Sequence, residues 1–215
     1  MKTGILFDLD GTLLDTLEDL TDSVNYTLEK YGYPTRTLEQ IRQAVSNGAR
    51  NLTANSMAGQ ADDATVDRAL ADYQVHYATH CQDKTRPYEG VLQALEVLKS
   101  RCPVGIVSNK PDSAVKALCA DYFPGLYALG ETPDCPRKPA ADMVYKGMKA
   151  IGADRCIYVG DSEVDVLTAK NAEVPCLCVL WGFRDKEDML AAGGTHFCEA
   201  PQKLVEKIEE LIHGK

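Results

Sequence analysis

Three short apolar runs constrain this chain more than any other feature of its sequence: Ile5-Leu6-Phe7, Val104-Gly105-Ile106-Val107 and Cys156-Ile157-Tyr158-Val159. Each has strand length, and none alternates apolar with polar residues as a half-exposed strand would. Strands covered on both faces belong to parallel sheets, whose crossover connections lay helices on either side. Each run stops abruptly in polar residues: Asp8 to Asp10 after the first, Ser108-Asn109-Lys110 after the second, Gly160-Asp161-Ser162 after the third. Polar chemistry is therefore expected at the carboxyl ends of neighbouring strands. Runs at Cys176 to Leu180 and around Leu126 to Leu129 extend the series.

Helical patterns lie between the runs. Val91, Leu95 and Leu98 share a face, as do Val115 and Leu118, and Met143 with Met148 and Ile151. This alternation predicts an α/β fold with a doubly wound parallel sheet. The stretch from Leu17 to Cys81 differs, because Leu17, Leu20, Val24, Leu28 and Tyr31 form one helical stripe, Val66, Leu70, Tyr73 and Tyr77 form another, and no strand pattern interrupts them. The expected organisation is a core domain from residues 1–15 and 85–215, with an α-helical cap domain of residues 16–84 inserted after the first strand. The chain returns to the core at the Pro-containing turn Arg86-Pro87-Tyr88.

A chain of 215 residues can hold a core and a smaller appended domain. Its 32 acidic against 23 basic residues give a formal charge of −9, which leaves no basic face to release counterions from nucleic acid or to meet anionic lipid. No stretch approaches the roughly 18 apolar residues that span a bilayer. The opening MKTGILFDLD meets acidic residues before a signal-peptide core can form, so a cytoplasmic protein is expected. The eight cysteines show no CxxC pair and fit buried free thiols in a reducing compartment.

The segment Phe7-Asp8-Leu9-Asp10-Gly11-Thr12-Leu13-Leu14-Asp15-Thr16 carries two carboxylates two residues apart, on one side of a buried strand's end. Like charges beside an apolar strand are costly unless something cationic neutralises them, and a hard divalent ion with oxygen ligands is the natural candidate. Gly160-Asp161-Ser162-Glu163-Val164-Asp165 supplies more acid at another strand end, which parallel pairing would bring close to Asp8 and Asp10. A turn cluster alone would not need Asp161 and Lys138 at matching strand ends. There is no GxxxxGK[ST] and no GxGxxG, so a P-loop kinase or nicotinamide enzyme finds no support. His76 and His80 stand four apart beside Cys81 but lack the glutamate of HExxH, and a zinc site is not expected. Trp181-Gly182-Phe183 follows the fourth apolar run, where it could border the pocket, and aromatic packing under the cap is the default expectation.

In order along the chain, Asp8-x-Asp10-Gly11-Thr12, Ser108, Lys138-Pro139 and Gly160-Asp161-x-x-x-Asp165 resemble the four motifs of the haloacid dehalogenase superfamily of phosphohydrolases. The Gly-Thr-Leu-x-Asp-Thr form of the first motif, the helical insert with Val45-Ser46-Asn47-Gly48-Ala49, and Ser108-Asn109-Lys110-Pro111 resemble its phosphoglycolate phosphatase branch. The resemblance implies a phosphatase acting on a small phosphorylated metabolite. Asp8 would be the nucleophile and become an aspartyl phosphate, and Asp10 the general acid and base. Mg²⁺ would be held by Asp8, the Asp10 carbonyl and Asp161, and Lys138 would place positive charge on nucleophile and phosphate. Ser108 and the neighbouring Asn109 would bind phosphate, with Asp165 supporting the metal waters or Lys138.

Substrate choice would fall to the insert. Asn47, Gly48 and Arg50 lie between helical patterns, and a turn with backbone N–H groups and a guanidinium suits an anionic leaving group, although an Arg at a helix start is commonly a solvated charge as well. 2-Phosphoglycolate is the expected substrate. Pyrophosphate or sugar phosphates, a phosphomutase reaction, and a non-catalytic phosphometabolite-binding role remain open at this level. Neither a nucleic-acid nor a membrane partner is expected, and the protein would be a monomer or homodimer.

Overall fold

The computed structural model describes residues 1–45 and 48–214. They divide into two compact units, Met1–Asp15 with Pro87–Lys215, and Thr16–Arg86. The two-residue strands β2 (Leu14–Asp15) and β3 (Arg86–Pro87) stand where the chain leaves the first unit and where it returns.

The first unit is built on six parallel strands: β1 (Thr3–Phe7), β4 (Val104–Pro111), β5 (Tyr127–Glu131), β6 (Arg155–Gly160), β7 (Cys176–Val179) and β8 (His196–Cys198), in the spatial order β5-β4-β1-β6-β7-β8. The chain builds outward from β1 in one direction through β4 and β5, then in the other through β6, β7 and β8. Strand order therefore reverses at β1, the place where open α/β sheets bind their ligands. Phe7 pairs with Ile106 on one side and Val159 on the other, so Asp8, the first residue beyond β1, comes level with Gly160, the last residue of β6, one short of Asp161.

Period-two alternation sorts the side chains even though both faces are covered. Ile5, Phe7, Ile106, Ile157 and Val159 pack against Val91, Leu95 and Leu98 of α5 (Val91–Lys99), Val115 and Leu118 of α6 (Asp112–Tyr122), and Leu204 and Ile208 of α10 (Leu204–His213). Leu6, Val107 and Tyr158 pack on the opposite face against Met143 and Val144 of α7 (Asp142–Ile151) and Ala169 of α8 (Glu163–Asn171). α9 (Lys186–Ala191) adds Met189 to a small cluster with Val166 and Cys178. The fold is the α/β doubly wound parallel sheet that the apolar runs predict.

The second unit is helical throughout its described residues: α1 (Leu17–Lys30), α2 (Leu38–Ala44), α3 (Ala49–Ser56) and α4 (Asp63–His80). α1 buries Leu17, Leu20, Val24 and Leu28, while Tyr31 just beyond it donates its hydroxyl to Asp72 on α4 at 2.8 Å. α2 starts in a reciprocal cap between Thr37 and Gln40, and α4 starts on the Asp62 carboxylate, which accepts from Thr65 N–H at 2.8 Å. Asp19, buried in the first turn of α1, accepts from the backbone N–H of Lys84 at 2.9 Å and of Thr85 at 2.8 Å, tying the two ends of this unit together.

Some sequence expectations shift. α4 buries Ala69 where the stripe predicts Leu70, which is half-buried, because the small residue sits on the packed face. β4 does not stop at Val107 but continues through the polar residues to Pro111, with a register shift after Val107. α2, α3, α9 and β8 are too short for periodicity to reveal. No helix among the described residues is long and apolar enough to cross a membrane.

Candidate active site

The strand ends supply the site. Asp8 follows β1 directly, its N–H bonded to the Val159 carbonyl at 2.8 Å; Ser108 and Lys110 lie on the extended end of β4; Asp161 follows β6. Asp8, Ser108, Lys110, Lys138, Asp161 and Asp165 are all buried.

Lys138 is the hub. Its ammonium donates to Asp8 Oδ1 at 2.7 Å, Asp165 Oδ1 at 2.7 Å and the Tyr158 hydroxyl at 3.0 Å, which accounts for all three of its protons. Burial disfavours that charge, but Asp165, Asp8 and Tyr158 outweigh it and hold the Lys138 pKa well above the ordinary lysine value. Asn109 fixes the backbone of this lysine: its amide oxygen accepts from Lys138 N–H at 2.8 Å and its amide nitrogen donates to the Lys138 carbonyl at 2.9 Å. The Asn109 amide thus meets the lysine's peptide groups with its oxygen and one of its two N–H donors.

Asp165 is the most heavily bonded acid. Besides Lys138 and Tyr158, it accepts from Asp161 N–H at 3.2 Å, Ser162 N–H at 3.1 Å and Ser162 Oγ at 2.6 Å. α8 begins on a Ser162 cap with Asp165 in its first turn, so the carboxylate folds back to the loop instead of pointing along the helix.

The buried Lys110 and the half-buried Asp10 form a second pair, Nζ to Oδ1 at 2.6 Å. The backbone N–H of Lys110 also donates to Ser108 Oγ at 3.2 Å, which leaves the serine hydroxyl proton to point elsewhere. Neither Lys110 nor Tyr158 is assigned a role by the sequence pattern. Lys110 offers a signal in hindsight, as a cation directly after a strand-end Ser-Asn, whereas Tyr158 is indistinguishable from the apolar run that contains it.

Asp161 is held by neutral donors: Thr12 Oγ1 at 3.1 Å to Oδ1 and Phe183 N–H at 2.7 Å to Oδ2. Its carboxyl pKa is pushed well above the usual range, first by burial and then by the anions of Asp165 and Asp8. Asp8 is raised to about 7, by burial foremost, with Asp165 and Asp10 adding to the rise and Lys138 opposing it. Gly11, at φ 82°, packs so closely on Asp161 that a Cβ there would overlap its Oδ2.

These residues fit a divalent cation. Asp8, Asp161 and Asp165 each bring a carboxylate oxygen within 4.8 Å of the others. Lys110 and Lys138 are the ammonium partners of this group, against the four carboxyl groups of Asp8, Asp10, Asp161 and Asp165, so acidic groups outnumber ammonium groups by two. All-oxygen donors and that excess suit a hard dication. Lys110 meets Asp10 at Oδ1, and the Asp10 main-chain carbonyl is a further oxygen that could hold the ion.

Gly48 and Arg50 lie in the helical unit, at the N-cap and in the first turn of α3; Asn47 lies outside the described residues. The Arg50 guanidinium is paired with Asp67 at 2.8 Å and Asp63 at 2.9 Å. Within the helical unit its partners are therefore two acids of α4.

Comparison with known proteins agrees with this geometry. The family model of haloacid dehalogenase-like hydrolases matches residues 5–179. A phosphoglycolate phosphatase of Xanthomonas campestris pv. campestris is 35% identical over 220 residues, covering 94% of this chain and 95% of its own. Phosphoglycolate phosphatase 1 of Pseudomonas aeruginosa is 31% identical over 220 residues, covering 97% of this chain and 78% of its own. The crystal structure of a Lactobacillus delbrueckii subsp. bulgaricus protein, provisionally assigned as a phosphoglycolate phosphatase, superimposes with a TM-score of 0.91 at 35% identity, covering 97% of this chain and 99% of that one. With matching motifs spread over its core and relatives spanning nearly its whole length, the chain belongs to the haloacid dehalogenase-like hydrolase family and is a phosphatase of phosphoric monoesters.

Proposed function

We propose that the protein hydrolyses 2-phosphoglycolate with Mg²⁺ through an aspartyl phosphate on Asp8. The observation that carries the mechanism is the placement of Asp8, pinned by Lys138 at 2.7 Å at the point where strand order reverses. The names of the relatives at 31–35% identity support the substrate.

A carboxylate needs no base to make it a nucleophile, but it must approach a phosphate that repels it. Lys138 offsets part of that repulsion and fixes the attacking oxygen. A bound Mg²⁺ would be held by Asp8, Asp161 and the Asp10 carbonyl, and would supply the remaining positive charge. The Ser108 hydroxyl donates to a phosphate oxygen. As Asp8 Oδ bonds to phosphorus, the bond to the leaving oxygen breaks and Asp10, which enters this step protonated, gives that oxygen its proton and is left as the carboxylate. Water then attacks phosphorus, Asp10 takes the water's proton, and the bond from phosphorus to Asp8 Oδ breaks to release inorganic phosphate. Lys110 holds the Asp10 carboxylate apart from the other acids, and Asp165 supports Lys138. In this reading Thr16–Arg86 acts as the cap that selects the leaving group, and the protein works in the cytoplasm as a monomer or homodimer.

The test is phosphate release with Mg²⁺ from 2-phosphoglycolate, pyrophosphate and several sugar phosphates, alongside Asp8→Asn and EDTA controls. A lead in kcat/KM for 2-phosphoglycolate, abolished by both controls, is expected. Equal rates on all compounds would overturn the substrate, and activity persisting in Asp8→Asn would overturn the mechanism.

A further inference from the structure

The loop that follows β7 touches the proposed cation ligand more closely than core packing requires. Phe183 N–H donates to Asp161 Oδ2 at 2.7 Å. The other carboxylate oxygen accepts from Thr12 Oγ1 at 3.1 Å, and Thr12 in turn accepts at its carbonyl from the Trp181 indole N–H at 3.0 Å. Trp181, Thr12, Asp161 and Phe183 thus form a closed ring of contacts across the ends of β1, β6 and β7. Between Trp181 and Phe183, Gly182 lies against Asp161 so tightly that a Cβ would overlap Asp161 Cβ and Oδ2 and stand 2.5 Å from the Gly11 carbonyl oxygen. The Asp161 side chain is therefore flanked by two glycine backbones, Gly11 and Gly182. Both ends of the loop are anchored, by Leu180 N–H on the Cys198 carbonyl at 2.9 Å and by Arg184 with Glu163 at 3.2 Å.

We propose that Trp181-Gly182-Phe183 is a strap that fixes the Asp161 carboxylate in its cation-holding orientation, with Trp181 and Gly182 as positioning residues. This rests on the reading of Asp161 as a ligand of the divalent ion. A carboxylate has about four acceptor sites, and one neutral donor on each oxygen fixes its rotation while leaving acceptor sites for a cation. Groups behind a metal ligand typically alter affinity by about 10–100-fold when lost. Trp181 acts through Thr12 and so falls at the low end of that range. Gly182 abuts the ligand itself and falls at the high end. Simple aromatic packing predicts something else: Trp181→Phe would cost stability and leave cation affinity alone.

The decisive measurement is direct Mg²⁺ binding by isothermal titration calorimetry, with no substrate present, on the wild type, Trp181→Phe, Gly182→Ala, Thr12→Val and Asp161→Asn. Thermal melts of each variant identify the folded ones. Trp181→Phe keeps the ring and loses only the indole donor, so it carries the test if Gly182→Ala does not fold. Expected are Kd values about tenfold weaker for Trp181→Phe and Thr12→Val, about 100-fold weaker for Gly182→Ala, and no measurable binding for Asp161→Asn. Because Trp181 is the chain's single tryptophan, its emission should also change as Mg²⁺ is added to the wild type and stay constant in Asp161→Asn. If Asp161→Asn loses binding while Trp181→Phe and Thr12→Val bind as the wild type does, the strap is refuted and the ligand reading stands. If Asp161→Asn binds Mg²⁺ as well as the wild type, the ligand reading itself fails and the strap falls with it.

Discussion

Removing the Lys138 ammonium uncovers two buried carboxylates at once, Asp8 and Asp165, each 2.7 Å from it. Breaking a buried pair from one side typically costs about 3–5 kcal/mol, and loss of one positioned charge from a reaction centre lowers kcat by about 10²–10³. Lys138→Met should therefore lower both the urea midpoint and the rate of phosphate release, and a variant that loses rate at unchanged midpoint would show the ammonium to be unimportant for stability. Asn109→Ala separates the two effects, because it leaves every charge in place and frees the lysine's peptide. It should reduce kcat by about tenfold with KM nearly constant, measured on the substrate that the wild type prefers. At this scale the acids were legible in the sequence, since charged residues directly after apolar strands have few structural reasons to be there. The partners were less so. Tyr158 lies within a strand whose apolar character hides its hydroxyl, and the two hydrogen bonds between the Asn109 amide and the peptide groups of Lys138 join residues 29 apart through a geometry that no local pattern announces.

At the scale of elements, α4 carries a pH response. His76 stacks between Tyr26 and His80, with centroids 4.1 Å from each, and its Nδ1 lies 3.0 Å from Ser23 Oγ. Burial and then the neighbouring His80 lower its pKa, with Asp83 and Asp22 opposing in part. An unfolded chain protonates near the ordinary histidine value of about 6.5, so below that pH the unfolded state binds the proton more readily than the folded one. Stability from this group is complete above about pH 6.5 and is lost as pH falls toward the lower folded value. Melting temperatures of the wild type should decline between pH 7.5 and 5.5 more steeply than those of His76→Phe, and equal slopes would remove His76 as the source. Asp19 is a second determinant within the same unit. Asp19→Ala strands the buried Thr85 N–H and should cost about 1–3 kcal/mol in denaturant unfolding. Elements with a clear period, such as α1 and α5, could be read directly from the sequence, whereas α2 and α3 span two turns of mostly polar residues, α2 owing its place to its cap and both to tertiary packing.

For the whole molecule, the acidic trio and both buried lysines lie in one of the two compact units. A cation bound there stabilises the native state by mass action, by about 2.7 kcal/mol at a hundred times its Kd. Hydrogen exchange with and without Mg²⁺ should show slowed amides in β1 and β6 and unchanged amides in α1 and α4; uniform slowing across all four would show that the two units unfold together. The parallel sheet was foreseeable because each strand announces itself, but the strand order had to come from three dimensions. That order governs how the chain can assemble. β1 lies between β4 and β6, which the ribosome makes only after the entire helical insert, so the nucleophile emerges first and its neighbours follow much later. Thr16–Arg86, being continuous, needs nothing downstream of itself to pack. A nascent chain stalled before β4 should therefore hold a formed helical unit behind an unpaired apolar strand, a target for chaperones until synthesis reaches residue 160.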